Sequence, residues 1–412
     1  MPDEQKNEIT GRVRAFHVMA KPTGAQCNLD CAYCFFLKKD QLYPNSDFRM
    51  SEEVHEAYIR QLLEAHGVPS VTIAWQGGEP TLMGLDFYRH SIELQKKCQK
   101  PRTQIENTFQ TNGILLDEAW CRFFHENKFL LGLSMDGPKE LHDFYRKDKA
   151  GQGTFNRVLK AARLLQKHQV EFNILCTVNS QNADHPLEVY RFFRDELKAN
   201  YIQFIPIVER INENGETGSQ QGNRVTDRSV RPGQWGRFMS EIFDEWVKRD
   251  VGQTFVLNFD GALAGWLNMA GTVCIFGPTC GQGSALEHNG DLYSCDHFVE
   301  TAHYLGNILK TPLSELMGSD KQKTFGCAKR DTLPQYCRSC EVLHICNGEC
   351  PKNRFIATPD GEQGLNYLCE GYKAFFKHAD RPMQIMAGLI RRGRLAEEVM
   401  QVIKTDSKGK AV

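Results

Sequence analysis

The distribution of cysteine constrains this chain more than any other feature. Cys27, Cys31 and Cys34 sit in the spacing Cys-x3-Cys-x2-Cys, followed at once by Phe35 and Phe36. Nine of the fifteen cysteines lie after residue 270. Met1 to Thr10 is polar and charged with no apolar core, so it does not read as an export signal. Cytosolic thiols stay reduced, which makes metal or cluster binding the expectation rather than a disulfide framework. Three thiolates on one loop can ligate three irons of a cubane cluster and leave the fourth iron open to a small molecule. A structural zinc site would need a fourth ligand, and His17 is close in sequence, so zinc stays open. Three unrelated buried cysteines is the remaining reading.

At 412 residues the chain can hold a large barrel and a second unit. Its net charge of -1 offers no broad basic field for nucleic acid or anionic membrane. No apolar run approaches membrane-span length. The expected setting is the cytoplasm, with neither nucleic acid nor membrane as a partner.

Short β-like runs at 14–19, 71–75, 104–110, 129–134, 172–178 and 201–207 alternate with helical patterns at 51–66, 86–98, 117–127, 154–168 and 186–197. This alternation predicts an α/β fold, a partial (β/α)6 barrel with a parallel sheet. In such barrels reactive groups gather at the C-terminal ends of the strands. The cysteine loop, Gln76-Gly77-Gly78-Glu79-Pro80, Gln110-Thr111-Asn112-Gly113 and Ser134-Met135-Asp136-Gly137-Pro138 all fall there. Residues 210–231 read as a linker. The expected division is a barrel over 1–231, a cysteine-rich domain over 232–380, and a C-terminal helix with a polar tail over 381–412. The helical pattern of that last part covers 383–403.

The later cysteines run Cys274-x5-Cys280, Cys295, Cys337-x2-Cys340-x5-Cys346-x3-Cys350 and Cys369. Eight cysteines suffice for two clusters of four ligands. Two zinc ribbons would use the same spacings. Cys327 is a rival ligand, while Cys98, Cys121 and Cys176 fall in periodic segments and read as structural thiols.

Cys27-x3-Cys31-x2-Cys34, with Tyr33 before the third cysteine, resembles the signature of the radical S-adenosylmethionine (SAM) superfamily, and Gly77-Gly78-Glu79-Pro80 resembles its GGEP motif. The resemblance implies that the open iron chelates the amine and carboxylate of SAM, whose cleavage yields a 5′-deoxyadenosyl radical. SAM contacts are then expected from Tyr33, Gln76, Gly77, Gly78, Glu79, Ser134, Arg146 and Gln203. Gly77 and Gly78 would let a ligand approach the backbone, and Glu79 would offer a carboxylate to the SAM ammonium. Arg146 would pair with its carboxylate, unless it is a solvated charge among Lys147, Asp148 and Lys149. Gln76 and Gln203 would face SAM or substrate, and Asp136 is a weaker candidate.

The C-terminal pattern resembles the SPASM extension of radical SAM peptide-modifying enzymes. That resemblance implies two auxiliary [4Fe-4S] clusters with crossed ligation. Cys274, Cys280, Cys295 and Cys350 would hold the first, and Cys337, Cys340, Cys346 and Cys369 the second. Longer runs, among them Gln76-Gly77-Gly78-Glu79-Pro80-Thr81-Leu82, Gly132-Leu133-Ser134-Met135-Asp136-Gly137-Pro138 and Tyr293-Ser294-Cys295-Asp296, are similar to the anaerobic sulfatase-maturating enzymes. Members oxidise a sulfatase Cys or Ser to formylglycine. The resemblance implies three [4Fe-4S] clusters with SAM, and Asp296 as the base that takes the substrate proton. It further implies an unfolded or nascent sulfatase as substrate, a flavodoxin or ferredoxin as electron donor, and a monomer. A ribosomal-peptide maturase is the competing enzyme, although such enzymes often carry a separate N-terminal recognition domain and here the barrel begins by about residue 14. A zinc-stabilised binding scaffold is the competing non-enzyme.

Overall fold

The computed structural model describes residues 15–269 and 273–408. Arg14, which opens the first expected strand, and 409–412 of the expected tail lie outside the described residues. Six strands form as neighbours in chain order: β1 (His17–Lys21), β2 (Ser70–Trp75), β3 (Gln104–Thr111), β4 (Phe129–Ser134), β5 (Phe172–Val178) and β6 (Tyr201–Pro206). All five pairings are parallel. Their alternation sets the layers. Val71, Ile73 and Trp75 of β2 and Phe129, Leu131 and Leu133 of β4 are buried, and the residues between them face the other way.

Helices Glu52–Ala65, Leu85–Cys98, Glu118–Glu126 and Phe155–Lys167 follow successive strands. The Ser51 side chain accepts from the Val54 N–H, and the Asp117 side chain from Ala119 and Trp120. Each such cap contributes about 1 kcal/mol. Between sheet and helices lies an aromatic core. Tyr88 meets Trp75 at 5.5 Å and Phe109 at 5.0 Å, and Phe124 meets Phe109 at 5.1 Å and Trp120 at 5.4 Å. Large rings bury much apolar area per residue and make this side of the barrel rigid. The helix expected over 186–197 is α-helical only over Pro186–Arg191 and passes into a π-turn over Phe192–Glu196.

The sheet continues where the sequence suggested irregular chain. The segment read as a linker holds a small hairpin, β7 (Arg210–Ile211) and β8 (Arg224–Val225). Beyond it, β9 (Phe255–Val256) pairs with β6. β10 (Gly283–Glu287) pairs parallel with β1, from His17↔Gly283 to Lys21↔Glu287. β11 (Asp291–Tyr293) and β12 (Tyr304–Asn307) follow antiparallel. The barrel sheet therefore has ten strands, with β12 and β9 at its edges. Strands on both sides of the expected 231/232 boundary share this one sheet. The missed signal is Asn289-Gly290 between two apolar runs, a strong short-range mark of a hairpin. Its effect is to set β11, with Cys295 and Asp296 just after it, beside β10, which itself pairs with β1.

After the hairpin β13 (Arg354–Ala357) and β14 (Gln363–Asn366), the chain ends in two helices, Cys369–Arg391 and Val399–Lys408. The single helix expected over 383–403 is thus corrected at both ends. Pro382 lies inside the longer helix. An interior proline costs about 3 kcal/mol. A buried stripe of Tyr372, Phe375, Phe376, Ala379, Met383 and Met386, packed against helix Pro232–Arg249, offsets that cost. Among the described residues no helix is long and apolar enough to cross a membrane.

Candidate active site

The loop after β1 carries Cys27, Cys31 and Cys34, and the loop after β2 holds it in place. Gln76 N–H donates to the Ala20 carbonyl at 2.9 Å, Gly78 to Gly24 at 2.8 Å, and Glu79 to Gln26 at 2.8 Å. A Cβ on Gly78 would lie 1.9 Å from the Gln26 carbonyl oxygen, and one on Gly77, at φ +139°, would lie 3.1 Å from that of Gly24. Close approach to the cysteine loop therefore demands glycine at Gly78 and favours it at Gly77. Gly78→Ala is expected to push the two loops apart, at a cost on the order of 1–3 kcal/mol. Iron content and melting temperature should fall together in this variant. Wild-type values in both would show that the contact relaxes freely.

Glu79 departs from expectation. It is fully buried, and its carboxylate accepts from Thr81 N–H (3.1 Å), Thr81 Oγ1 (2.7 Å), Thr111 Oγ1 (2.8 Å) and Asn112 N–H (2.8 Å). Burial pushes its carboxyl up while these four donors pull it down. The side chain is thus spent on tying the loops after β2 and β3 together.

The three loop cysteines are free and half-buried. Burial pushes the Cys27 thiol up to about 12 and Cys31 up to about 11, and it raises Cys34 as well. Neighbouring thiols add to the shift of Cys27. N–H groups point at the sulfurs: Leu29 N–H and Asn112 Nδ2 donate to Cys27 Sγ at 3.4 and 3.6 Å, and the Phe36 and Leu37 amides face Cys34. Buried thiols ringed by donors suit thiolates neutralised by a cation, and hydrogen bonds to sulfur are how a protein tunes an iron–sulfur cluster. Among the described residues no three His, Cys, Asp or Glu side chains converge tightly enough to hold a single ion. His17 opens β1 whereas the cysteine loop follows its other end, about 13 Å of strand away.

Two polar networks border this loop. In one, Tyr33 donates to the buried Asp136, and Arg146 Nη1 donates to the Tyr33 hydroxyl at 3.0 Å. Thr177 N–H also donates to Asp136, at 3.0 Å. Burial pushes the Asp136 carboxyl up, against Arg146, Tyr33 and Thr177. Arg146 is 6% exposed, far from a solvated charge, and its Nε is buried without a protein partner. An orphaned guanidinium donor beside the cysteine loop fits a carboxylate ligand such as that of SAM.

In the other network, Asp296 and Lys21 form a close buried ion pair. Lys21 Nζ donates to Gln76 Oε1 at 3.2 Å and lies 4.5 Å from the Phe36 ring centroid. Gln76 Nε2 in turn donates to Gln110 Oε1 at 2.7 Å. Burial disfavours charge on Asp296, but Lys21, His297 and Lys352 outweigh it and hold the carboxyl below its usual range. Lys21 was not singled out in the sequence, where one lysine at a strand end carries no mark. Ser134 ends β4, and Gln203 in β6 pairs with Leu175, which in turn pairs with Ser134. Both are half-buried, on the strand face opposite the aromatic core.

The later cysteines fall into two neighbourhoods. Cys295 is pushed up to about 12 by burial, with Cys274 and Cys280 contributing. Cys350 is pushed up by burial, with a contribution from Cys295. Cys346 is likewise raised to about 12 by burial, with Cys369 and Cys337 among its neighbours. Cys369 is raised to about 11 by burial and feels Cys337 and Cys340. Cys337, Cys340, Cys346 and Cys369 all line one small cavity. Cys295 thus neighbours Cys274, Cys280 and Cys350, while Cys337, Cys340, Cys346 and Cys369 border one cavity. Lys329, also missed in the sequence, is buried and donates to the carbonyls of Cys274 and Ile275 at 2.7 and 2.9 Å.

Cys327 is exposed, and its neighbour Gly326 accepts from Cys280 N–H at 3.0 Å. Cys121 and Cys176 lie in the apolar core, and Cys98 packs against it. Cys337→Ala is expected to lower iron by about four atoms per chain, the content of one cubane, whereas Cys327→Ala keeps it. Equal iron loss from both variants would reverse the assignment.

Comparison with known proteins agrees with this geometry. The Radical SAM superfamily matches residues 22–193, and the SPASM iron–sulfur cluster-binding domain matches 278–341. The chain is 45% identical over 401 residues to the serine-type anaerobic sulfatase-maturating enzyme of Bacteroides thetaiotaomicron, covering 96% of each. It is 37% identical over 366 residues to the cysteine-type enzyme of Clostridium perfringens, covering 88% of this chain and 95% of that one. A solved structure described as native anSMEcpe with bound AdoMet and Cp18Cys peptide superposes with a TM-score of 0.81 at 35% identity, covering 91% of this chain and 99% of that one. A radical SAM barrel, an iron–sulfur SPASM segment and identity along nearly the whole length meet in one chain, which belongs to the anaerobic sulfatase-maturating enzymes.

Proposed function

We propose that the chain oxidises a Cys or Ser side chain of an unfolded or nascent sulfatase to formylglycine. In this reading Cys27, Cys31 and Cys34 ligate the SAM-binding cluster. Cys274, Cys280, Cys295 and Cys350 hold one auxiliary cluster, and Cys337, Cys340, Cys346 and Cys369 the other. When bound, SAM reduced by the first cluster would supply a 5′-deoxyadenosyl radical for hydrogen abstraction at the target β-carbon, and the auxiliary clusters would take the second electron. The barrel over 1–231 provides the first site, and 232–380 the auxiliary sites. Tyr33, Arg146, Ser134 and the backbone of Gly77, Gly78 and Glu79 orient SAM, while Gln76 and Gln203 face SAM or the substrate. Asp296 accepts the substrate's hydroxyl or thiol proton. A flavodoxin or ferredoxin supplies electrons, and the enzyme works as a cytoplasmic monomer.

One juxtaposition carries the reading. Asp296 directly follows Cys295 and is buried against Lys21, whose ammonium reaches Gln76 beside the loop of Cys27, Cys31 and Cys34. Asp296 and the neighbouring Cys295 are thereby linked through Lys21 and Gln76 to the loop of Cys27, Cys31 and Cys34. The test is anaerobic reconstitution with SAM, a reductant and matched peptides differing only in Cys or Ser at the target. Mass spectrometry should find an aldehyde at that residue, with the Ser peptide losing two hydrogens. A crosslinked peptide would favour the ribosomal-peptide maturase, and SAM cleavage that leaves both peptides intact would overturn the reading.

A further inference from the structure

We propose that the cleft between the β7–β8 hairpin and the β13–β14 hairpin binds an extended, acidic flank of the substrate polypeptide, outside the residue that reacts. This rests on the reading above that the substrate is a polypeptide. The cleft has a volume of about 890 Å³, and its lining includes Arg210, Arg224, Arg354 and Phe355. Glu213 is the one carboxylate in its wall. A space of this size takes a few residues of extended chain.

The three arginines differ in what they have left to give. Arg354 is spent: its guanidinium donates to the carbonyls of Gly348 (2.7 Å), Lys329 (2.5 Å), Asn347 (2.8 Å) and Glu349 (3.1 Å). Arg210 uses only Nε, donated to the Gly222 carbonyl at 2.7 Å. Its guanidinium carbon lies 4.6 Å from the centroid of the Phe355 ring, which also lines the cleft. No other hydrogen bond or ion pair holds Arg210 among the described residues. Arg224 is exposed and has none from its side chain. Two guanidinium groups with free donors therefore face one cleft, one of them oriented by an aromatic ring. That chemistry selects carboxylates and chain carbonyls and disfavours lysine or arginine.

The cleft is also tied to the reaction site. Pro351 in its wall follows Cys350 directly, and Lys352 lies 5.4 Å from the ring centroid of Phe35, beside Cys34. The hairpin loop that forms the other wall reaches the site as well. Lys38 and Lys39 Nζ donate to the Thr217 and Gly218 carbonyls, each at 3.2 Å. Gln220 N–H donates to Glu300 at 3.0 Å, and its Nε2 donates to the His297 carbonyl at 3.2 Å. The hairpin thus straps the cysteine loop to the segment just after Asp296. A chain leaving the site alongside Pro351 would enter the cleft, whereas a globular electron carrier would meet only its rim.

The test compares a short peptide that holds just the target motif with longer peptides extended by acidic or by basic flanks. Binding is read by fluorescence anisotropy and turnover by mass spectrometry, with wild type, Arg224→Gln and Arg210→Gln/Arg224→Gln. Wild type should bind the acidic extension more tightly than the short peptide, with an advantage that shrinks at high salt. The double variant should lose about tenfold of that advantage, the scale of a hydrogen bond to a charged group. Arg224→Gln should lose part of it, and because Arg224 is exposed this variant tests the cleft even if the double variant misfolds. An unchanged long-to-short ratio overturns the proposal, and so does an effect of the variants on reduction by flavodoxin alone. Anisotropy does not depend on turnover, so failure to form formylglycine with intact cleft binding would sink the proposed reaction and leave the cleft standing.

Discussion

Replacing Cys27, Cys31 and Cys34 together by Ala is expected to abolish reductive cleavage of SAM while removing only about a third of roughly twelve irons per chain. The loop sits apart from the later cysteines in sequence, and its geometry is set by backbone bonds to the loop after β2 rather than by its sulfurs. Gly78 and Glu79 N–H groups hold it whether or not the thiols are present. The barrel core of Trp75, Tyr88, Phe109 and Phe124 forms one apolar cluster, while Ala25, Cys34 and Phe36 of the loop region pack in another. The triple variant should therefore fold, keep both auxiliary clusters and remain brown. Iron analysis and the yield of 5′-deoxyadenosine under strong reductant are the two measurements. Any reductive cleavage of SAM above background would place the reactive cluster elsewhere. Loss of all iron would mean that the auxiliary sets depend on this loop.

The parts of this site that could be read from sequence are those whose chemistry is local. Cys27, Cys31 and Cys34 declare themselves by spacing, and the strands by apolar alternation, because both patterns lie within a few residues. What the GGEP residues do is not local. Gly78 is required by the Gln26 carbonyl, and Glu79 is consumed by Thr111 and Asn112 on the next strand's loop. β10 was missed because five residues, Gly283–Glu287, carry too little periodicity, although Asn289-Gly290 marked the hairpin after it. The helix that opens at Cys369 runs through Pro382, since packing against Pro232–Arg249 outweighs the local break. Lys21 could not be found at all, because the carboxylate that gives it meaning lies in the other half of the chain.

That ion pair sharpens the expected result for Asp296→Asn. A base acts on the substrate proton and not on the sulfonium, so the variant should still form 5′-deoxyadenosine. Formylglycine should fall about 10²–10⁴-fold, the usual contribution of a general base. The loss should be smaller for a Cys peptide than for a Ser peptide, since a thiol ionises at about 8.5 and a hydroxyl far higher. The structure adds a complication, because the same substitution leaves the Lys21 ammonium buried with no counter-charge. Breaking one side of a buried pair costs about 3–5 kcal/mol, which alone could lower activity by loosening the site. The double variant Lys21→Met/Asp296→Asn separates the two effects. It removes the stranded charge and should regain much of the melting temperature that Asp296→Asn loses. If Asp296 is the base, formylglycine stays low in the double variant despite that recovery. If Asp296 serves only to neutralise Lys21, activity returns together with stability, and the proton must leave by another group.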